Sequence, residues 1–279
     1  MNRRTAMKVA AGSLLGSGAG MYILTTAFKP KIPPLSKPKE LELKAAESGW
    51  EYHQLDPSAT ANLAYNTYDN GSCMYAVVHS IVSQLAARCG EPYASFPSHM
   101  MRYGHGGIGG FGAVCGALNG AAALMGLFVA DKGTRDALIS DLFRWYERTP
   151  LPGFKPDTAI LNFTPPASVS RSTLCHASIT CWGQTTKCRV MSKQRKERCR
   201  RLTGDVAAKL TVIMNQLTDN TYITDGHDDE ITRTCMTCHG KQGKLGNTGG
   251  KMTCASCHNE SLGHGLFSDL HYKLMDKKE

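Results

Sequence analysis

The sequence predicts a mainly α fold: a helical body followed by an irregular C-terminal segment. Three observations in the 279-residue chain point there. Apolar residues recur at helical spacing through the middle of the chain. No alternating β pattern appears. The C-terminal segment from about His227 is rich in Gly and Lys and poor in large apolar residues, so it cannot build a core from its own side chains.

Trp50 to Asn70 reads as loops and short turns. Met74 to Arg88 reads as a helix, with Ser72 as its N-cap and Gly90 as its stop. Val77, Val78, Ile81, Val82 and Leu85 form its apolar face. A glycine-rich run, Gly104 to Gly112, comes next. It contains G-x-G-x-x-G, but no strand precedes it, so a backbone that must approach a buried group explains it better than a dinucleotide site. Ala113 to Ala130 follows as a small-residue helix, and Thr134 to Arg148 as a third. Pro150, Pro152, Pro156, Pro165 and Pro166 mark a long loop region. Lys193 to Leu217 is a fourth helix, interrupted at Gly204, and its charged run Lys193 to Arg201 reads as a solvated face. The domain reading is therefore 1–28, 29–49, 50–222 and 223–279.

Residues 1–28 set the compartment. Asn2-Arg3-Arg4-Thr5-Ala6-Met7-Lys8 resembles a twin-arginine export signal, followed by a mildly apolar, glycine-containing stretch. The expected location is the periplasm, with membrane attachment only if the signal is retained as an anchor. Residues 29–49 then form a Pro- and Lys-rich tether. Formal net charge is +9, and losing Arg3, Arg4 and Lys8 with the signal lowers it to +6. No basic cluster with interleaved aromatics argues for a nucleic-acid partner.

The chain has eleven cysteines, an odd number that cannot pair completely within one chain. Cys235-Met236-Thr237-Cys238-His239 and Cys254-Ala255-Ser256-Cys257-His258 are two C-x-x-C-H motifs. This is the signature of covalent c-type haem. Two cysteines at that spacing can form thioethers to the two vinyl groups of one porphyrin, and the next histidine ligates the iron. The same cysteines also fit zinc-ribbon spacing. A four-cysteine zinc site, however, does not need a histidine after both pairs, and covalent haem attachment takes place outside the cytoplasm. His239 and His258 are therefore the expected proximal ligands. Two six-coordinate haems would favour electron transfer. An open iron would allow a haem enzyme that reduces a small oxyanion, or a redox or gas sensor.

Cys73, Cys89, Cys115, Cys175, Cys181, Cys188 and Cys199 remain. Four of them could hold an iron–sulfur cluster, while structural thiols or disulfides are the plainer alternative. Gly107-Ile108-Gly109-Gly110-Phe111-Gly112-Ala113-Val114-Cys115-Gly116-Ala117 resembles the motif of redox-associated proteins with a C…GCAxxG…C…C pattern. Here Cys-Gly-Ala stands where the pattern has Gly-Cys-Ala. Cys73-Met74-Tyr75-Ala76, Ser168 to His176 and Glu197-Arg198-Cys199-Arg200 resemble its other segments.

Together with the two haem motifs and the export signal, the chain from about Trp50 to His264 resembles the split-Soret cytochrome c family. The resemblance implies a homodimer with two covalent haems per chain and a [2Fe–2S] cluster. It implies Cys73, Cys115, Cys175 and Cys199 as cluster ligands, with Cys181 and Cys188 as rivals for the third place. It also implies sixth haem ligands exchanged between chains. His176 is the first choice and His264 the second, with His53 and His227 as alternatives.

Overall fold

The computed structural model describes residues 49–224, 230–256 and 258. The export-signal and tether readings (up to residue 48), and Cys257, His227 and His264, lie outside the described residues. The described residues belong to one compact unit. The described part is helical, as expected, with only isolated β-bridges between extended segments. No described helix is long and apolar enough to cross a membrane.

Helix α1 is Pro57–Thr67, in a stretch expected to be loops. Its start is well specified: the Asp56 side chain accepts from Ala59 N–H at 2.6 Å, and Pro57 occupies the first turn. A short 3₁₀ turn, Tyr68–Asn70, leads straight into α2, Ser72–Cys89. That junction displaces the expected cap. Gly71 takes the cap position, and Ser72, at φ 65°, makes no capping bond. Helix α2 is covered on several sides by α1, by α3 (Gly116–Phe128) and by α6 (Lys193–Thr218), so its expected apolar face is buried. Gly90 ends it at φ 72°.

Helix α3 begins three residues later than expected. Ala113–Cys115 are drawn instead into antiparallel pairing with the segment before α5 (Cys175–Thr186), through the Val114–Leu174 bridge. Cys115 becomes the N-cap of α3. Helix α4, Lys132–Arg148, starts where Asp131 accepts from Thr134 N–H at 2.7 Å and buries Leu138, Leu142 and Tyr146. The proline-rich stretch that follows is a loop, as expected. Helix α5 was not anticipated. Its Ser, Thr and β-branched content masks any apolar period, and only Cys175, Ser178 and Trp182 are buried.

Helix α6 is continuous through Gly204. A Cβ there would stand 2.7 Å from Phe154 Cδ1 and 3.1 Å from the Ala61 carbonyl oxygen, so this glycine lets α1 and the Phe154 loop close onto α6. Gly204→Ala is expected to lower the urea midpoint of unfolding. Overpacking costs about 1–3 kcal/mol, which exceeds the roughly 1 kcal/mol gained in helix propensity. Gly126→Ala, with nothing within 4 Å of its Cβ position, is expected to raise it.

Lys193 and Lys196 are exposed, but Glu197 to Arg201 correct the reading of the Lys193 to Arg201 run as a solvated face. Glu197 is fully buried, and Arg198, Arg200 and Arg201 are at most 5% exposed. Glu197 Oε1 accepts from Tyr65 Oη and Arg201 Nε, and Oε2 from Arg200 Nη1, each at 2.8 Å. Arg200 Nη2 also donates to Asp69 at 2.7 Å. Mutual pairing makes burial tolerable, and a charge count along the sequence does not show pairing.

Candidate thiol centre and haem-attachment segment

Cys73 is the second residue of α2, Cys115 the N-cap of α3 and Cys175 the first residue of α5. Three helix N-termini thus present thiols, and partial positive charge favours thiolate there. Cys199 comes from α6. The pairing between Gly112–Cys115 and Thr173–His176 brings the second and third cysteines together. Cys115 N–H donates to Thr173 O at 2.8 Å, Cys175 N–H to Ala113 O at 2.7 Å and His176 N–H to Gly112 O at 3.1 Å. Gly112 sits at φ 74°, and a Cβ on it would stand 2.9 Å from His176 Cβ, so this close approach needs glycine. His176 is exposed, so the expected close approach to a buried group falls instead to Gly104, where a Cβ would collide with the buried Met74 side chain.

All four thiols are buried. Cys73, Cys175 and Cys199 line a cavity of about 540 Å³, with Tyr68, Arg195 and His176 also in its wall. Cys115 is buried beside it, close enough to interact electrostatically with the other three. Cys181 and Cys188 are only half-buried and do not line the cavity. Cys73 Sγ donates to Tyr68 Oη at 3.6 Å. Burial raises the Cys73 and Cys115 thiols above the ordinary range and pushes Cys175 up to about 12, the neighbouring thiols adding to the effect. Among the described residues no group of three or more Cys, His, Asp or Glu side chains is placed to hold a metal ion. The thiols converge without being locked in coordination geometry.

Helix α7, Glu230–His239, carries the first C-x-x-C-H motif at its C-terminal end. His239 Nδ1 is 2.9 Å from Asn247 Oδ1, and the next loop folds back through Leu245 N–H to Cys238 O and Thr248 N–H to His239 O, both at 2.9 Å. Cys254 begins a 3₁₀ turn, and His258 N–H donates to Cys254 O at 3.0 Å. Cys254 N–H donates to the buried Thr232 Oγ1 at 3.1 Å, tying the second motif to the helix of the first.

The segment is anchored to the body through α4. Thr253 Oγ1 donates to Glu147 Oε2 at 2.9 Å, and Lys251 Nζ to Ser140 Oγ at 3.3 Å. The Glu147 carbonyl accepts from Arg171 N–H at 3.0 Å, and Arg171 lies two residues before Thr173, the partner of Cys115. A short hydrogen-bonded strip therefore joins the haem-attachment segment to the thiol centre. Thr232, Asn247 and Glu147 carried no sequence signal for these roles. Arg198 beside Cys199 was visible but was absorbed into the charged run.

Buried cysteines thus converge from four helical elements beside a glycine-rich turn. Residues 72–213 match the redox-active protein family with the cysteine pattern C_GCAxxG_C_C. The split-Soret cytochrome c of Desulfovibrio desulfuricans is 39% identical over 223 residues, covering 76% of this chain and 78% of the relative. The solved structure of that organism's split-Soret cytochrome c, described as having a novel iron centre, superposes with a TM-score of 0.73 at 36% identity. The match covers 78% of this chain and 92% of the solved one. The chain belongs to the split-Soret cytochrome c family.

Proposed function

We propose that the chain is an exported, periplasmic, homodimeric electron-transfer protein. In this reading it carries two covalent haem c groups and one [2Fe–2S] cluster. The observation that carries the reading is the burial of four convergent thiols in the same compact unit as two haem-attachment motifs.

Cys235 and Cys238, and Cys254 and Cys257, would attach the haems, with His239 and His258 as proximal ligands. Asn247 holds His239 Nδ1 and so fixes which ring nitrogen faces an iron. Cys73, Cys115, Cys175 and Cys199 would hold the cluster, their side chains turning inward to close the cage. The groups themselves supply one-electron redox chemistry when bound. The protein's part is to exclude water, fix the ligands and place both centres on one hydrogen-bonded strip. His176 is exposed at the rim of the thiol cavity, which suits a ligand given to a partner chain's haem; His264 is the second candidate.

Metal and sulfide analysis of the purified protein, with visible and electron paramagnetic resonance spectra, tests the cluster. Two haems, non-haem iron and acid-labile sulfide are expected. Cys175→Ala should lose the non-haem iron and keep both haems, whereas Cys181→Ala and Cys188→Ala should keep both kinds of centre. Parent protein without non-haem iron, or iron lost from Cys181→Ala and kept in Cys175→Ala, would overturn this assignment.

A further inference from the structure

Arg198 is 1% exposed, yet it is not paired as its neighbours are. Arg200 and Arg201 share Glu197, and Arg200 also reaches Asp69. Arg198 Nη2 donates to Ser178 Oγ at 2.8 Å, Nη1 lies 3.9 Å from Cys199 Sγ, and Nε has no partner. No described carboxylate is within ion-pair distance of it. Asp205 Oδ2 accepts from Gly153 N–H at 3.0 Å, and burial pushes that carboxyl up to about 7. A guanidinium taken out of water without a counter-charge is strongly destabilising. The anionic groups that can face it are the sulfurs of Cys199 and Cys115, beside the Tyr146 hydroxyl.

We propose that Arg198 is the internal counter-cation of the thiolate-bound iron centre and that its charge raises the reduction potential of that centre. The proposal rests on the cluster reading above. The physical reason is direct. Four thiolates give the centre net negative charge, and one-electron reduction adds another unit. A fixed cation in a poorly screened interior stabilises the reduced form more than the oxidised one. Arg195, half-buried in the wall of the same cavity, also faces Cys199 and shares in this effect; Arg198 is the fully enclosed cation. Cluster electrostatics are among the factors that set iron–sulfur potentials.

The test compares the full-length parent, Arg198→Met and Arg198→Lys, each analysed for non-haem iron and titrated under resonance detection of the reduced centre. Removing the charge is expected to shift the equilibrium at least tenfold toward the oxidised form, about 59 mV downward for one electron. Arg198→Lys should recover much of this shift, and the haem potentials should stay in place. A loaded Arg198→Met protein with an unchanged midpoint would overturn the proposal while leaving the cluster reading intact. A parent without non-haem iron would remove the cluster reading and the proposal with it. If Arg198→Met does not load, the iron-free proteins decide. The buried charge then has no counter-charge in the parent, so iron-free Arg198→Met should be at least as stable in urea. A lower midpoint than the iron-free parent would mark Arg198 as a merely structural residue.

Discussion

Glu197→Ala is expected to destabilise the fold by about 3–5 kcal/mol, measured as a drop in the urea unfolding free energy. The carboxylate is fully buried and accepts three hydrogen bonds, from Tyr65, Arg200 and Arg201. Truncating it removes the only charge compensation Arg201 has among the described residues, and half of that of Arg200, which keeps Asp69. It also leaves the buried Tyr65 hydroxyl without its acceptor, although that hydroxyl still accepts from Ile160 N–H at 2.8 Å. Glu197→Gln should fall between the two, since an amide oxygen can still accept but carries no charge. If Glu197→Ala unfolds at the parent's urea concentration, the network contributes no net stability.

The same network shows why part of the fold was hidden in the sequence. Periodicity exposed α2, α4 and α6 because each buries a stripe of large apolar residues, and α3 showed as an unbroken run of small and apolar ones. Helix α1 buries Thr60, Ala61, Ala64 and Tyr65 against α6, and small or polar residues leave no hydrophobic period. Its Asp56-Pro57 start was readable, but Trp50 to Asn70 looked too polar for the rest to follow. In α6 the charged run looked solvated because each charge was weighed alone. Its partners lie elsewhere in the sequence: Tyr65, Asp69 and the Phe163 carbonyl.

The candidate site divides along similar lines. Haem attachment is local chemistry, so its spacing can be read in five residues. The thiol centre depends on a non-local pairing, with Val114 against Leu174, that no spacing rule reveals. Only resemblance to a known cysteine pattern singled out Cys73, Cys115, Cys175 and Cys199 as a set. What neither source offered is the second layer: Tyr68 against Cys73, Arg198 against Cys199 and Asn247 against His239. These contacts rest on side-chain orientation within packed elements, which is fixed only once the helices have docked.

Replacing Cys235 and Cys238 together with alanine is expected to leave one covalent haem per chain instead of two, read directly in the mass of the denatured protein. The pair Cys254→Ala and Cys257→Ala should do the same, and all four changes should abolish covalent haem. Ile231, Leu245 and Met252 are each at least 40% exposed on the segment around the motifs. Such side chains gain nothing from that exposure, and a porphyrin laid against them would remove apolar surface from water at about 25 cal/mol per Å². Haem would thus supply the missing core of a segment held to the body by the Thr253–Glu147 and Lys251–Ser140 side-chain bonds. The four-alanine variant should therefore be cut by protease within 223–279 at a rate at least ten times the parent's, while 50–222 resists. A parent protein that holds zinc, with no haem in its mass, would refute the assignment at its root. A segment that stays resistant without haem would show that its packing on α4 suffices alone.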